Sequence, residues 1–168
     1  MDAVQLRGLQ APLKQRYREE PASACAQMSA EADFSDPGIT ATVQTWAGPV
    51  RAGLHPSTGG DGSDACSGDM LLQALLACAG VPMRSVATAM GIDIRSARLT
   101  ARGDLDARGT LGVSKETPVG LGTVTVDAEL DTDADDDTLA RLGQLTERYC
   151  VVAQTLARPP HLTVRRAG

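Results

Sequence analysis

Two cysteines, Cys78 and Cys150, are the residues of this 168-residue chain whose types and positions best suit redox chemistry. Each is the only cysteine of a segment that strongly predicts a helix, at 68–80 and 145–156. Two thiols on packed helices can reduce a peroxide: one thiolate attacks it, and the second thiol traps the sulfenic acid as a disulfide. Closing that disulfide requires Cα atoms about 4.4–6.8 Å apart. Helical periodicity alone favours two ordinary core thiols, because free cysteine is often buried.

The elements that must position these cysteines alternate between strands and helices. Periodicity predicts, in chain order, an amphipathic helix at 3–20, a strand at 38–46, a polar glycine-rich loop at 55–69, a helix at about 68–90, strands at 94–105 and 121–130, a helix at 136–157 and a closing strand at 161–166. Asp135–Asp137 is expected to cap the last helix, and Arg158-Pro159-Pro160 is expected to stop it. We expect a kink or short break near Gly80 and Pro82. Gly48-Pro49 predicts a turn after the first strand. The order of elements predicts one α+β domain.

Composition excludes several classes of function. The chain is 42% hydrophobic and 22% charged, which is typical of a globular protein with a core. The net charge of −5 argues against a nucleic-acid partner. We find no apolar run near 18 residues and no secretory signal, and therefore expect no membrane partner and a cytoplasmic location. The spacing of the cysteines and histidines does not suit a metal site, so no metal is expected.

Two motifs together resemble the OsmC/Ohr family of thiol peroxidases: HPSTGGDGSDACSGDMLLQALLACAGVPMRSVATAMGI at 55–92 and LTERYCVVAQTL at 145–156. The resemblance spans roughly residues 30–166, so residues 1–29 are expected to form a helical extension and 30–168 a single OsmC-like domain. It implies an antiparallel sheet wrapped around two central helices in an intertwined homodimer. It also implies reduction of organic hydroperoxides without a cofactor, with Cys78 as peroxidatic thiol, Cys150 as resolving thiol and an external dithiol as reductant.

The chain departs from the family pattern at several positions. Asp69 stands where many members carry glutamate, and Glu147 fits the acid of the second motif. No arginine lies between Arg18 and Arg51, so none in the hairpin can stabilise the thiolate. Candidate substitutes for that cation are Arg51 and the pair Arg16 and Arg18. Val151 replaces the proline that usually follows the second cysteine.

Other functions remain open at this stage. The missing hairpin arginine favours a non-catalytic protein that binds an apolar small molecule at the dimer interface. A structural or regulatory partner protein that docks through its N-terminal helix is a further alternative. Cys66, in the loop before the helix, is an alternative resolving thiol, whereas Cys25 is expected to be incidental.

Overall fold

The computed structural model of the chain describes residues 1–156. Its helices and strands are, in chain order, α1 (Ala3–Glu19), β1 (Glu31–Asp33), β2 (Ala41–Thr45), β3 (Gly48–Gly53), β4 (Ala65–Cys66), α2 (Ser67–Met90), β5 (Ser96–Leu105), α3 (Ala107–Thr110), β6 (Leu121–Asp131), α4 (Asp136–Tyr149) and α5 (Val151–Leu156). Two short 3₁₀ helices, Pro21–Ala24 and Pro56–Thr58, lie in the connections. The α+β class is confirmed. The predicted stop at 158–160 and the predicted closing strand at 161–166 lie outside the described residues.

The buried apolar side chains belong to one part of the chain, which we call the core unit: α2, β5, β6, α4 and α5, with the residues that join α2 to β5 and α4 to α5. Helix α2 packs against β5, α4 and α5. Its buried positions recur every four residues, which places them on one face of the helix. The buried apolar set of the described chain is Leu75, Ala79, Met83, Ala87, Ile94, Leu142 and Cys150.

Helix α2 runs without a break from Ser67 to Met90, with Pro82 inside it. The expected break near Gly80 and Pro82 is therefore wrong. A proline removes only one backbone hydrogen bond, and the buried residues Ala79 and Met83 hold the helix on both sides of it. The helix ends at Gly91, whose positive φ of 72° lets its N–H donate back to Ala87 and Thr88 carbonyls.

The expectation that no segment is long and apolar enough to span a membrane is wrong as far as length and composition go. Helix α2 is long and apolar enough to cross a bilayer, with a mean hydropathy of 1.5 over an 18-residue window. The same property is common in the core helices of soluble proteins. Here the buried face of α2 packs against β5 and α4.

Strands β5 and β6 form the antiparallel pair that the alternating pattern predicts. Their register runs from Ser96 opposite Asp131 to Leu105 opposite Leu121, with one irregularity between Gly103 and Leu105. Alternate residues of β6 point toward the helices. This two-stranded sheet therefore forms one wall of the core unit.

A second sheet, which we call the N-terminal sheet, has the strand order β1-β2-β3-β4. The first two pairings are antiparallel, but β3 and β4 pair in parallel, so the expectation of a wholly antiparallel sheet is wrong. Gly48 and Pro49, predicted as a turn, begin β3, and the turn lies at Trp46 and Ala47. None of the residues in these four strands is fully buried.

The helix predicted over 136–157 is divided in two. Helix α4 ends at Tyr149, α5 begins at Val151, and Cys150 between them has a non-helical backbone with φ −76° and ψ 102°. The predicted cap is confirmed, because the Asp135 carboxylate accepts the N–H of Thr138 at 2.8 Å. Cys150 therefore lies at a helix junction and not within a helix.

The N-terminal helix predicted over 3–20 is confirmed as α1, with Pro12 inside it. It packs against α2, while Leu9 and Leu13 remain exposed. The boundary between an extension at 1–29 and a domain at 30–168 stays a prediction.

Candidate active site

The structure brings the two candidate thiols together. Leu75, Ala79 and Cys150 form one buried cluster, and Cys78 packs against it from α2. Cys150 is 2% exposed, whereas Cys78 is half-buried. Both are free thiols. The more accessible member of the pair is therefore the one that the sequence predicted to meet the peroxide.

The backbone at the α4–α5 junction aims Cys150 inward. The carbonyl of Glu147 accepts two hydrogen bonds, from the N–H of Cys150 at 3.3 Å and from Nε2 of Gln154 at 3.1 Å. The carbonyl of Cys150 accepts the N–H of Gln154 at 3.0 Å and so opens the first turn of α5. These contacts satisfy backbone groups that a helix end would otherwise leave unpaired.

The same junction supplies a donor to the other thiol. The N–H of Val152, in the first turn of α5, donates to Sγ of Cys78 at 3.3 Å. Cys78 therefore has a backbone hydrogen-bond donor from the segment that follows Cys150.

The environment of Cys150 favours its neutral form. Burial raises the pKa of the Cys150 thiol, and the adjacent Cys78 side chain raises it further, against the opposing effect of the backbone N–H groups of Ala153 and Val152. A thiol that stays protonated at neutral pH is a poor first nucleophile. The two sulfurs are thus in different environments, with Cys78 as the better candidate for attack.

Arg51 is engaged elsewhere in the chain. Its Nε donates to Oδ1 of Asp64 at 2.5 Å, and this ion pair raises the pKa of Arg51. The pair joins β3 to the glycine-rich loop that leads into α2. Within the described residues, no arginine donates a hydrogen bond to Cys78. The guanidinium of Arg16 lies 5.4 Å from the ring centroid of Tyr17.

Among the described residues, neither predicted acid makes a side-chain hydrogen bond with a thiol of the pair. Asp69 is exposed in the first turn of α2, about 14 Å along the helix axis from Cys78 at 1.5 Å per residue. Glu147 is exposed on α4, and it is its backbone carbonyl that contacts the junction. The structure does not bring either carboxylate to Cys78 within this chain.

The remaining cysteines lie outside the thiol cluster. Cys66 is half-buried at the N-cap of α2, and Cys25 is exposed. The loop before Cys66 is held close to the chain at Gly60, where a Cβ would lie 1.8 Å from the Leu54 carbonyl oxygen. Among the residues that the structure describes, no group of histidine, cysteine and acidic side chains could hold a metal ion.

A cavity of about 640 Å³ lies behind the thiol pair, between α2, β6, α4 and α5. Its walls are mainly aliphatic, and Cys150 forms part of them. Thr146, which the sequence did not single out, is 5% exposed in this wall, and its Oγ1 makes no hydrogen bond with any residue that the structure describes.

The sequence analysis missed Val152, Gln154 and Thr146. One signal for the first two was available, because a proline after the second cysteine in the family marks a helix boundary. This chain has Val151 there and keeps the boundary without the proline. A backbone N–H and an orphaned hydroxyl have no signature in sequence periodicity.

Comparison with known proteins identifies the family. The profile of the OsmC-like protein family matches residues 60–165. No curated protein matches the chain. Among solved structures, an OsmC-like protein from Mycoplasma pneumoniae aligns with a TM-score of 0.65 at 14% identity, covering 79% of this chain and 89% of that one.

Two similar structures carry a functional name. An organic hydroperoxide resistance protein OsmC from Legionella pneumophila aligns with a TM-score of 0.62 at 18% identity over 80% of this chain and 93% of that one. One from Elizabethkingia anophelis aligns with a TM-score of 0.63 at 14% identity over 80% and 91%. At these identities the likeness shows a shared fold. The family profile matches most of the length of the chain, and this match shows that the chain belongs to the OsmC-like family.

Proposed function

We propose that this protein reduces organic hydroperoxides to alcohols, with Cys78 as the peroxidatic thiol and Cys150 as the resolving thiol. The observation that carries the proposal is the juxtaposition of the two thiols in one cluster, with the Val152 N–H donating to Sγ of Cys78. The names of the Legionella and Elizabethkingia relatives support the substrate class.

The reaction follows from the different environments of the two sulfurs. The Cys78 thiolate attacks the peroxide, an S–O bond forms, the O–O bond breaks, and the alkoxide leaves and takes up a proton as alcohol. Cys150 then attacks the Cys78 sulfenic acid, an S–S bond forms and water leaves. An external dithiol reduces this disulfide and is itself oxidised to a disulfide, so no metal or flavin is required.

The roles of the other predicted residues belong to the same proposal. Arg51 can assist Cys78 only after it leaves Asp64, which makes the ion pair a candidate brake on thiolate formation. Asp69 and Glu147 stay candidate acids of the site, Glu147 as a proton relay. We expect the reaction to take place in the cytoplasm, where disulfides are reopened by cellular thiols.

A homodimer is also part of the proposal. The chain around the N-terminal sheet leaves Phe34, Ile39 and Trp46 exposed, with Trp46 fully so. Exposed apolar residues of this size in the connections around one sheet suit a subunit interface. We propose that a second copy covers this surface and continues the sheet around the two central helices.

Peroxide consumption tests the function. We expect the purified protein with dithiothreitol to consume tert-butyl hydroperoxide, and Cys78→Ser to reduce consumption to the rate without protein. Cys150→Ser should still form a sulfenic acid that dimedone traps, while catalytic turnover falls. Cys25→Ser, which changes an exposed thiol outside the cluster, is the matched control and should retain the wild-type rate.

Two observations together would refute the peroxidase function. Wild type and Cys78→Ser would consume no peroxide, and no disulfide between Cys78 and Cys150 would form after peroxide treatment. Non-catalytic binding of an apolar small molecule at the dimer interface would then be favoured. The Arg51–Asp64 pair supports that second candidate, because it keeps one of the predicted cations occupied.

A further inference from the structure

The junction between α4 and α5 positions both sulfurs of the thiol pair through one short segment of chain. Cys150 lies in the junction itself, and the N–H of Val152, two residues later, donates to Sγ of Cys78 at 3.3 Å. Helix α5 has only 6 residues, which is too short for a helix to be stable in isolation. The position of α5 relative to α4 and α2 therefore depends on tertiary contacts.

One side chain ties α5 to α4. Nε2 of Gln154 in α5 donates to the backbone carbonyl of Glu147 in α4 at 3.1 Å, and we call this hydrogen bond the Gln154 tether. The same carbonyl accepts the N–H of Cys150 at 3.3 Å, so the tether and the cysteine share one anchor. Between Cys150 and Gln154 lies Val152, the donor to the other sulfur. The tether therefore spans the segment that contacts both thiols.

The apolar contacts of α5 cannot replace this tether. Val152 and Ala153 pack against the thiol cluster but are only partly buried, and Val151 and Leu156 are exposed. Apolar packing has no directional preference, so it holds α5 against α2 without fixing the rotation of its first turn. A hydrogen bond weakens steeply as its angle falls. The direction of the Val152 N–H therefore depends on the Gln154 tether.

We propose that Gln154 is a positioning residue for the closure of the Cys78–Cys150 disulfide. The inference rests on the proposed function, in which this closure is the second step. In that step the Cys150 sulfur attacks the Cys78 sulfenic acid, the S–S bond forms, the S–O bond breaks, and the hydroxyl leaves with a proton as water. Gln154 acts through the orientation of the junction, because two reacting atoms combine fastest when they are held in the productive geometry.

The rate of disulfide closure tests this role without peroxide. Diamide oxidises neighbouring thiols to a disulfide, and peptide mass spectrometry of quenched samples measures the Cys78–Cys150 bond. Gln154→Met removes the donor and keeps an unbranched side chain of similar length. It should slow closure about two- to tenfold, the effect of one neutral hydrogen bond. Gln154→Lys keeps an N–H donor and should close within about twofold of the wild-type rate. Closure by Gln154→Met at the wild-type rate would overturn the proposal.

The matched control is Gln144→Met, because Gln144 is an exposed glutamine of α4 outside the junction. This variant should close at the wild-type rate, and equal slowing by the two methionine variants would contradict the proposal. Val151→Pro adds a rescue test, since proline fixes φ at the first residue of α5 by a different means. In the Gln154→Met background it should restore most of the lost rate. Absence of any rescue would argue that junction orientation does not control closure.

Hydrogen exchange of the Val152 amide measures the junction without any thiol reaction. Sγ of Cys78 accepts this N–H, so in Gln154→Met it should exchange about two- to tenfold faster than in the wild type. The amide of Leu142, a buried residue of α4, should keep its wild-type exchange rate. Unchanged exchange at Val152, or equal acceleration at Leu142, would count against a local positioning role.

The positioning role and the peroxidase function fail in different ways. If the wild type consumes no peroxide but Gln154→Met slows closure by diamide, the peroxidase function fails and the positioning role is retained. If wild type and Gln154→Met consume peroxide equally and also close equally with diamide, the positioning role fails and the peroxidase function is retained.

Discussion

The core unit and the N-terminal sheet both consist of hydrogen-bonded elements but bury their residues to very different degrees. The core unit contains all the fully buried apolar residues named above, among them Leu142 at 1% exposure. The N-terminal sheet has a complete strand ladder and no fully buried residue. A strand can thus be fully hydrogen-bonded without being buried, and over residues 1–156 it is the core unit that buries its apolar side chains.

The largest predicted effect tests this difference directly. Leu142→Ala should lower the free energy of unfolding by about 2–5 kcal/mol, because it opens a cavity where α4 meets α2. Ile39→Ala, beside the N-terminal sheet, should change it by less than about 0.5 kcal/mol in dilute protein. Chemical denaturation at several protein concentrations measures both. A cost at Ile39 that grows with concentration would indicate a partner subunit on that surface.

The pH dependence of stability sharpens the comparison within the cysteines. Burial raises the pKa of Cys150 in the folded chain, so the folded state keeps a proton that the unfolded chain releases. The stabilisation that this proton gives the folded state is complete below the ordinary thiol pKa of about 8.5. It is lost as the pH rises through the pKa of Cys150 in the folded chain. The loss is at most about 1.4 kcal/mol per pH unit for one proton.

The control for the alkaline effect is a thiol in the N-terminal region. Cys150→Ser should flatten the decline in unfolding free energy above pH 8.5, as measured by urea denaturation under reducing conditions. Cys25→Ser changes an exposed residue and should leave the decline as in the wild type. If Cys25→Ser flattened the decline instead, the alkaline loss of stability could not be assigned to Cys150 in the core unit.

Two threonines should respond to the same substitution with opposite signs. Thr146→Val removes a buried hydroxyl that has no hydrogen-bond partner among the described residues, and it should stabilise the protein by about 1 kcal/mol. Thr42→Val, in the N-terminal sheet, removes a hydroxyl that donates to Asp36 and should cost about 1 kcal/mol. Thermal unfolding of the two variants measures the difference, and destabilisation by Thr146→Val would show that its hydroxyl already has a partner.

The smallest predicted effect concerns the α4–α5 junction. Val151→Pro should be neutral or stabilising by about 0.4–1 kcal/mol, because Val151 is the first residue of α5 and Cys150 before it is extended. Arg141→Pro, within α4, should cost about 3 kcal/mol or more. Calorimetric unfolding distinguishes them. A similar cost at both positions would mean that one helix continues through Cys150.

Most helices and strands were predictable from the local pattern of apolar residues. The spacing of apolar side chains along one buried face differs between a helix and a strand, so it indicates the backbone conformation. Helices α1 and α2 and the β5–β6 pair lie close to their predicted ranges. The division of the last helix was not predicted, because the stripe from Leu139 to Leu156 continues across Cys150 while its backbone does not. The junction depends on Gln154 and the Glu147 carbonyl, a contact that periodicity does not encode.

The amino-acid sequence was sufficient to place the chain in its family and to select Cys78 and Cys150, because these depend on residue type and spacing. It could not show that Cys150 is fully buried, that the Val152 N–H reaches Cys78, or that Arg51 is bound to Asp64. Those facts arise where separate elements meet: α2 and α5 through residues 74 positions apart, and β3 and the glycine-rich loop through residues 13 positions apart. A hydrogen bond at 3.3 Å depends on the relative position of two helices, which no local pattern specifies.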